Sequence, residues 1–411
     1  MVDVVWKPGD QKPRLSLLKG DVYRPDILQI IEKTINELSP ALRELSQDIL
    51  DHPELKFEER HAHDVYTAFV EKQGFVVQRH YLLETAWVAT YSRGQGGPVL
   101  GVNSEMDALP GIGHACGHNL IGIAGVAIAC AAKAAMEKLG IDGKVILLGT
   151  PGEEGGYGKV KLWEKGAYEE MDVCLICHPA PGPPHSVSLS SCLAVVRLQV
   201  DFVGHTAHAG LSPWEGQNAL DAAVLAYTSI GLLRQQTKPT HRIHGIFQGK
   251  DWAPNVIPDN STMYWYVRAP TTKEALETAE QVKACFHGLN ASIILGAELA
   301  DVICKHYGTV DYEWGISSAS TDFRSFNFYD VALTLVLVMP GLHPGFSIPT
   351  VPNGGNHTPA FTEAAGTIEA HEACLDVSKA LAAVGMRVLT DDTFLSNVKS
   401  AFETAKMARG D

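Results

Sequence analysis

Basic residues, long apolar runs and cysteine are all scarce in this chain of 411 residues, and each shortage closes off a class of function. Lys and Arg number 33 against 47 Asp and Glu, a formal charge of −14. Without a basic surplus to meet phosphates, nucleic acid is excluded as the main partner. Docking on anionic lipid is excluded for the same reason. The longest apolar run, Leu120 to Ala132, falls short of the ~18 residues that a bilayer span requires and reads instead as a buried helix. The N-terminus, MVDVVWKPGDQKPRLSLLKG, has no continuous apolar stretch, so no secretory signal is expected. Eight cysteines in a chain this long do not make a disulfide scaffold. A reducing cytoplasm is therefore the expected compartment. Neither an internal repeat nor a low-complexity tract is evident.

What is present is an ordinary globular balance, 45% apolar and 19% charged, which excludes a disordered chain. At roughly 150 residues per domain, the length predicts two or three domains. Residues 1 to 24 read as a weakly patterned extension. Helical periodicity runs from Ile27 to about Asp51 and from about Glu58 to Lys72. Four short apolar runs then read as buried strands: Trp87 to Tyr91, Val99 to Val102, Val145 to Leu148 and Val173 to Cys177. Helical stretches lie between several of them, notably Leu120 to Leu139. That alternation predicts an α/β fold with a mostly parallel sheet flanked by helices.

Near residue 188 the pattern changes. A strand region from Leu189 to Val203 is followed by a helix from about Gln217 to Gln235. Strands at Ile243 to Phe247 and Ser261 to Val267 come next, then a helix from Thr272 to about Leu289. This β-α-β-β-α order predicts a small α+β domain, residues 188–294, inserted into the larger one, residues 25–187 and 295–411. Beyond it are expected a helix near 295–307, a strand from Ala332 to Val338 and one last helix from Thr362 to Leu389.

Histidine is the unusual count, at 17. Several stand beside Gly, Pro and Cys rather than in periodic segments, which points to metal or acid–base chemistry. In SEMDALPGIGHACGHNLIG, Cys116 and His118 are two apart and cannot share a helix face. In a Gly-rich loop they can converge as zinc-type ligands. A buried thiol beside a capping imidazole accounts for them equally well. In VILLGTPGEEGGYG, Glu153 and Glu154 follow a buried strand. Adjacent carboxylates there can divide metal binding from base chemistry. His178 ends another apolar strand, and His357 lies in the Gly-rich PNGGNHTP. Three of these four segments sit where a strand meets its following loop, the edge at which open α/β sheets bind ligands. Cys174 and Cys177 form a Cys-x-x-Cys within an apolar strand. Core packing accounts for them better than redox chemistry, which favours a helix N-terminus.

Taken together, DALPGIGHACGHNLIG, PGEEGG, GHTAHAG, APNVIPD, STDF and NHT resemble the aminoacylase–carnosinase family of two-metal peptidases (metallopeptidase family twenty). Within it they look most like the branch of β-alanyl-dipeptidase and aminobenzoyl-glutamate hydrolase-like proteins. The similarity extends from about residue 40 to 390. It implies a hydrolase-like catalytic domain with a ferredoxin-like inserted lid that also dimerises. It also implies ligands Cys116, His118, Glu154, His178 and His357 for two divalent metals, with His118 or a water bridging them. Cys116 favours zinc, while the Glu and His ligands suit manganese as well. Glu153 matches the general base and Asp107 a residue orienting a ligand. His208 matches a group that reaches the substrate carbonyl, in many relatives from the partner protomer. His205, Asn255 and Arg268 match substrate-binding or lid positions. A polar turn accounts as well for His205, and a strand-end ion pair for Arg268. Relatives usually carry a further lid strand after the second lid helix, where this chain has only Asn290 to Ala319 before STDF, so a shortened lid edge is expected.

The activity so implied is hydrolysis of the amide bond of a dipeptide or N-acyl amino acid by a metal-activated water. The same site could serve amide formation in biosynthesis. A non-catalytic binding protein is the third reading, and Glu153 speaks against it, because a binding module has no need of a base beside the metals.

Overall fold

The computed structural model of the chain describes residues 23–183, 186–188, 193–270, 272–287, 292–294 and 339–409. The expected helix near 295–307, the expected strand from Ala332 to Val338 and the STDF segment lie outside them, as do residues 1–22.

Two helices open the described chain, α1 (Pro25–Asp51) and α2 (Arg60–Lys72). Ile27, Ile30, Ile31 and Ile35 of α1 recur at helical spacing, and all are buried. Three strands follow: β1 (Val76–Arg79), β2 (Trp87–Arg93) and β3 (Val99–Glu105). Helix α3 (His118–Leu139) is apolar all round and almost wholly buried, the signature of a central core helix. It packs against α1 and β3. Next come β4 (Gly143–Thr150), α4 (Gly158–Glu164), β5 (Val173–Leu175), β6 (His178–Pro181) and β7 (Val187–Ser188).

The inserted region comprises β8 (Ala194–Val203), α5 (Ala219–Leu233), β9 (Arg242–Gln248), β10 (Asn260–Ala269), α6 (Thr272–His287) and β11 (Ser292–Ile294). After it come β12 (Gly341–Leu342), β13 (Gly345–Ile348), α7 (Pro359–Ala365), α8 (Ile368–Thr390) and α9 (Asp392–Arg409).

Among the described residues the main sheet has the order β1-β2-β4-β3-β5-β12. β4, β3, β5 and β12 run parallel, while β1 and β2 join antiparallel at one edge. The sheet is thus mixed: the parallel centre expected from alternating strands and helices carries an antiparallel flap. β1 has no apolar run to announce it, because its residues are mostly exposed. Parallel β3 and β4 both point their C-terminal ends toward the loops that hold Asp107 and Glu153.

The inserted sheet has the order β11-β8-β10-β9, antiparallel throughout. Its own apolar core includes Phe202, Trp265 and Phe286. The edge strand doubted from sequence is therefore present, with Ser292–Ile294 paired to β8. A three-stranded sheet of β6, β13 and β7 continues beyond β5. The single helix expected from Thr362 to Leu389 is two. Thr367 caps α8, its side chain accepting from Ala370 N, and it breaks the run just after Gly366.

Candidate metal centre

The centre forms where β3, β4 and β5 end. Cys116 lies in the turn before α3, and His118 is the first residue of that helix. Gly117 between them has φ +78°, and a Cβ there would lie 2.5 Å from Pro179. Only glycine makes this turn, which swings both side chains inward. His178 follows β5, and its Nε2 is 3.3 Å from Cys116 Sγ. His357 is brought in from the far end of the sequence. Its backbone N–H donates to Ala115 O at 2.7 Å, and its Nε2 stands 3.2 Å from Glu154 Oε1. The segment Glu153–Gly156 leaves helical backbone at Glu154 and Gly155, so it is an irregular turn. Gly152 before it has φ +65°, and a Cβ there would lie 2.8 Å from the Phe57 ring.

Three overlapping groups of donor atoms result, each within 4.8 Å: Cys116–His118–His178, Cys116–Glu154–His357 and His118–Glu153–Glu154. Cys116 belongs to the first two, with His118 and His178 on one side and Glu154 and His357 on the other. The structure thus gathers all five sequence-nominated ligands and Glu153 in one place. Asp107 joins them from behind. Its two oxygens accept the backbone N–H groups of Glu153 at 3.0 Å and Glu154 at 2.8 Å, and Oδ1 also faces His118 Nδ1 at 3.2 Å.

Burial dominates the electrostatics. It lowers His178 to about 4, which keeps the imidazole neutral as a ligand must be. It pushes the Cys116 thiol up, with the Glu154 charge adding to the effect, so only a cation would draw out the thiolate. Burial opposes charge on His118, but Glu105 and Asp107 outweigh it and raise that group. Burial likewise opposes ionisation of Glu154, yet the His357 ring beside it and the His118 charge hold it below the ordinary value.

The donor set fits divalent metal. His118 Nδ1 and Nε2 and Glu154 Oε1 are buried without an aligned hydrogen bond within the chain. Such atoms are costly unless something else satisfies them. A thiolate, three imidazoles and a carboxylate are transition-metal ligands.

Sequence reading missed three residues here. Glu105 has its Oε2 3.1 Å from His118 Nε2, and its Oε1 is 2.8 Å from Lys159 Nζ, all three side chains being fully buried. Glu59 accepts Gly152 N–H at 2.8 Å and the Thr85 hydroxyl at 2.6 Å, and burial pushes it up to about 7. The one available signal was Lys159 itself, a cation just past the Gly-rich turn and the second residue of α4.

The nominated lid residues are gathered elsewhere. His205 pairs with Gln217 and His208 with Val256 in single β-bridges, and Ala209 N–H donates to Asn255 O at 3.0 Å. His205, His208 and Asn255 are exposed. The His205 ring bonds Glu215 O and the His208 ring accepts Gly210 N–H, so both are engaged within the inserted region. Arg268 lies on β10, its Nε donating to His244 at 3.3 Å. One tie does run from the lid to the centre: Arg197 of β8 stacks between Tyr157, just past the Glu153–Gly156 turn, and Tyr266, at 4.1 and 4.7 Å. Cys174 and Cys177 are free, buried thiols pushed up by burial, Cys174 to about 12, as core residues are.

An α/β sheet whose strand ends present a Cys/His/Glu donor set beside a second carboxylate, with an inserted four-stranded domain, defines a metal-dependent amide hydrolase of the peptidase type. Residues 194–291 match the peptidase dimerisation domain. The chain is 37% identical to the Xaa-Arg dipeptidase of Mus musculus over 403 residues, 90% of each chain. It is also 37% identical to that of Homo sapiens over 436 aligned positions, 97% of each. A p-aminobenzoyl-glutamate hydrolase chain of Escherichia coli is 31% identical over 282 residues, 64% of this chain and 58% of its own. Among solved structures, a dinuclear metal-binding peptidase of the family from Bacillus subtilis superposes with a TM-score of 0.59 at 19% identity, covering 86% of this chain and 99% of that one. The chain belongs to metallopeptidase family twenty.

Proposed function

We propose that this metal-dependent amidohydrolase cleaves a dipeptide or N-acyl amino acid at a two-metal centre held by Cys116, His118, Glu154, His178 and His357. The observation that carries this reading is the convergence of these five side chains and Glu153 in three overlapping donor groups. Cys116, His118 and Glu154, each present in two of the three groups, would hold the metals together with His178 and His357. Zinc is the proposed metal, since a thiolate among the ligands favours it over manganese. Two relatives named Xaa-Arg dipeptidases make a dipeptide with a C-terminal arginine the first substrate to try.

Bound divalent metals would polarise the amide carbonyl and acidify water. The chain's own residues do the rest. Glu153 accepts the proton of the attacking water and returns it to the leaving amine. Asp107, holding the N–H groups of both glutamates, fixes the carboxylate of that base relative to the ligands. His208 donates to the carbonyl oxygen as charge develops there, and Asn255 and Arg268 hold the substrate carboxylate. His205 steadies the loop beside His208. Because His208 is exposed on the lid, it acts across a homodimer or after lid closure.

The proposed division is a catalytic domain, 25–187 and 295–411, and an inserted lid and dimerisation domain, 188–294. Leu225 and Leu232 of α5 and Ile246 of β9 are 53%, 74% and 64% exposed, apolar side chains that support pairing through the lid. Free thiols fit the proposed cytoplasmic setting.

The test is a hydrolysis screen of dipeptides and N-acyl amino acids with elemental analysis of the same preparation. Glu153→Gln should retain metal and lose turnover by at least a hundredfold, within the range of a lost general base. Near-normal activity in that variant, or activity that survives confirmed metal removal, would refute the reading.

A further inference from the structure

A second cluster of metal-type donors lies outside the centre, at the corner between α1 and α2. Asp48 and His52 are one turn apart at the end of α1, and His61 is in the first turn of α2. His52 Nδ1 lies 3.1 Å from Asp48 Oδ1 and His61 Nε2 lies 3.0 Å from Asp48 Oδ2. The two rings are 4.4 Å apart, centre to centre. His52 Nδ1–H also donates to the Asp48 carbonyl at 2.8 Å. One donor atom from each residue falls within 4.8 Å of the others.

We propose that Asp48, His52 and His61 bind a divalent transition metal of the zinc class, and that its occupancy clamps the 52–59 loop onto the catalytic turn. Two imidazoles and one carboxylate are a transition-metal donor set. Ligand bonds of about 2.0–2.1 Å in tetrahedral geometry set donors roughly 3.3 Å apart, close to the His61 Nε2–Asp48 Oδ2 contact; His52 Nδ1 would give up its proton and its bond to the Asp48 carbonyl to join them. The histidine–carboxylate contact at the main centre, His357 to Glu154, has nearly the same length, 3.2 Å. Side-chain exposures of 56% for His52, 36% for His61 and 37% for Asp48 leave the site open to a metal and to completing waters. The corner is also shaped in advance: Glu54 accepts the backbone N–H groups of His61 and Ala62 at 2.9 and 3.0 Å.

The loop spanned by these ligands touches the catalytic turn along its length. Glu54 O accepts Ala108 N–H at 2.7 Å, one residue from Asp107. Phe57 packs on Gly152 and Gly156, and Glu59 holds Gly152 N–H. A metal that joins His52 to His61 closes the two ends of this loop and lowers the entropy it can regain by opening.

The probe is zinc alone, added at graded buffered concentrations to the whole chain, with elemental analysis per chain and hydrogen exchange of the 52–59 amides. The wild-type chain should take up one equivalent more than the His52→Ala/His61→Ala variant. The last equivalent should slow exchange in that loop at least threefold in the wild type only. Asp48→Asn, which keeps the shape of the side chain, should lose the same equivalent. Equal stoichiometry in all three proteins overturns the site, and an extra equivalent without slowed exchange overturns the clamp. Both variants should hydrolyse substrate within twofold of wild type when the main centre is loaded, so a failed amidohydrolase assay bears on the catalytic reading and leaves this one standing.

Discussion

Replacing Lys159 with Met removes a cation in contact with a carboxylate that itself lies against His118, a proposed metal ligand. Lys159 Nζ is 2.8 Å from Glu105 Oε1, Glu105 Oε2 is 3.1 Å from His118 Nε2, and all three side chains have no exposure. Methionine keeps nearly the volume of the lysine stem, so the cavity left behind is small and the lost charge dominates. Breaking a buried ion pair by removing one partner costs about 3–5 kcal/mol, because the other charge is stranded. Domain stabilities are about 5–15 kcal/mol, so Lys159→Met should remove about a fifth or more of the total. Adding Glu105→Gln in the same chain takes away the stranded charge and should restore stability to within about 2 kcal/mol of wild type. Because an oriented carboxylate behind a ligating histidine is worth about 10–100-fold in metal affinity, the double variant should still bind zinc about tenfold more weakly. Denaturant unfolding of the metal-free proteins and zinc competition with a chromophoric chelator measure the two effects separately. A loss below about 1 kcal/mol in Lys159→Met, or a double variant no more stable than the single, would contradict the cost of a stranded buried charge and refute the reasoning.

Cys116→Ala should reduce both metals per chain in elemental analysis, because one residue serves both ligand groups; loss of a single metal would put the shared position elsewhere. His208→Ala should lower kcat by about ten- to a thousandfold with metal content unchanged, and a change in metal content would place that residue among the ligands. For the metal-free protein, Glu59 gives a pH effect of defined sign. Its folded value is raised by burial to about 7, so its contribution is fully present below the unfolded value and is lost as pH rises through about 7. The loss, about 3 kcal/mol at roughly 1.4 kcal/mol per tenfold, should flatten in Glu59→Gln when unfolding is followed against pH. Asp107 works in the opposite sense: His118 and two backbone N–H groups outweigh burial and lower it, so its stabilisation is present above the unfolded value and fades toward acid.

The amino-acid sequence by itself determined the strands of the sheet centre, the long helices and the βαββα order of the insertion, and it pointed to the five side chains that the fold gathers beside Glu153. These are local matters. A buried strand is a short apolar run, a buried helix a long one, and a ligand loop is a histidine or carboxylate placed among glycines where such a run stops. The break between α7 and α8 at Gly366 and Thr367 was equally local but was masked by continuous apolar spacing on both sides. Tertiary structure alone decided the rest. The exposed strand β1 exists because β2 offers it an edge, not because of its own composition. Cys116 shares a donor group with His357 because His357, far along the chain, hydrogen-bonds to Ala115. Glu59 reaches Gly152 across 93 residues, and Lys159 meets Glu105 only when α4 packs under the end of β3. A charged side chain looks alike in any sequence. Its worth is set by how much water the fold removes from it and which opposite charge the fold brings within reach, and neither is defined until the elements pack.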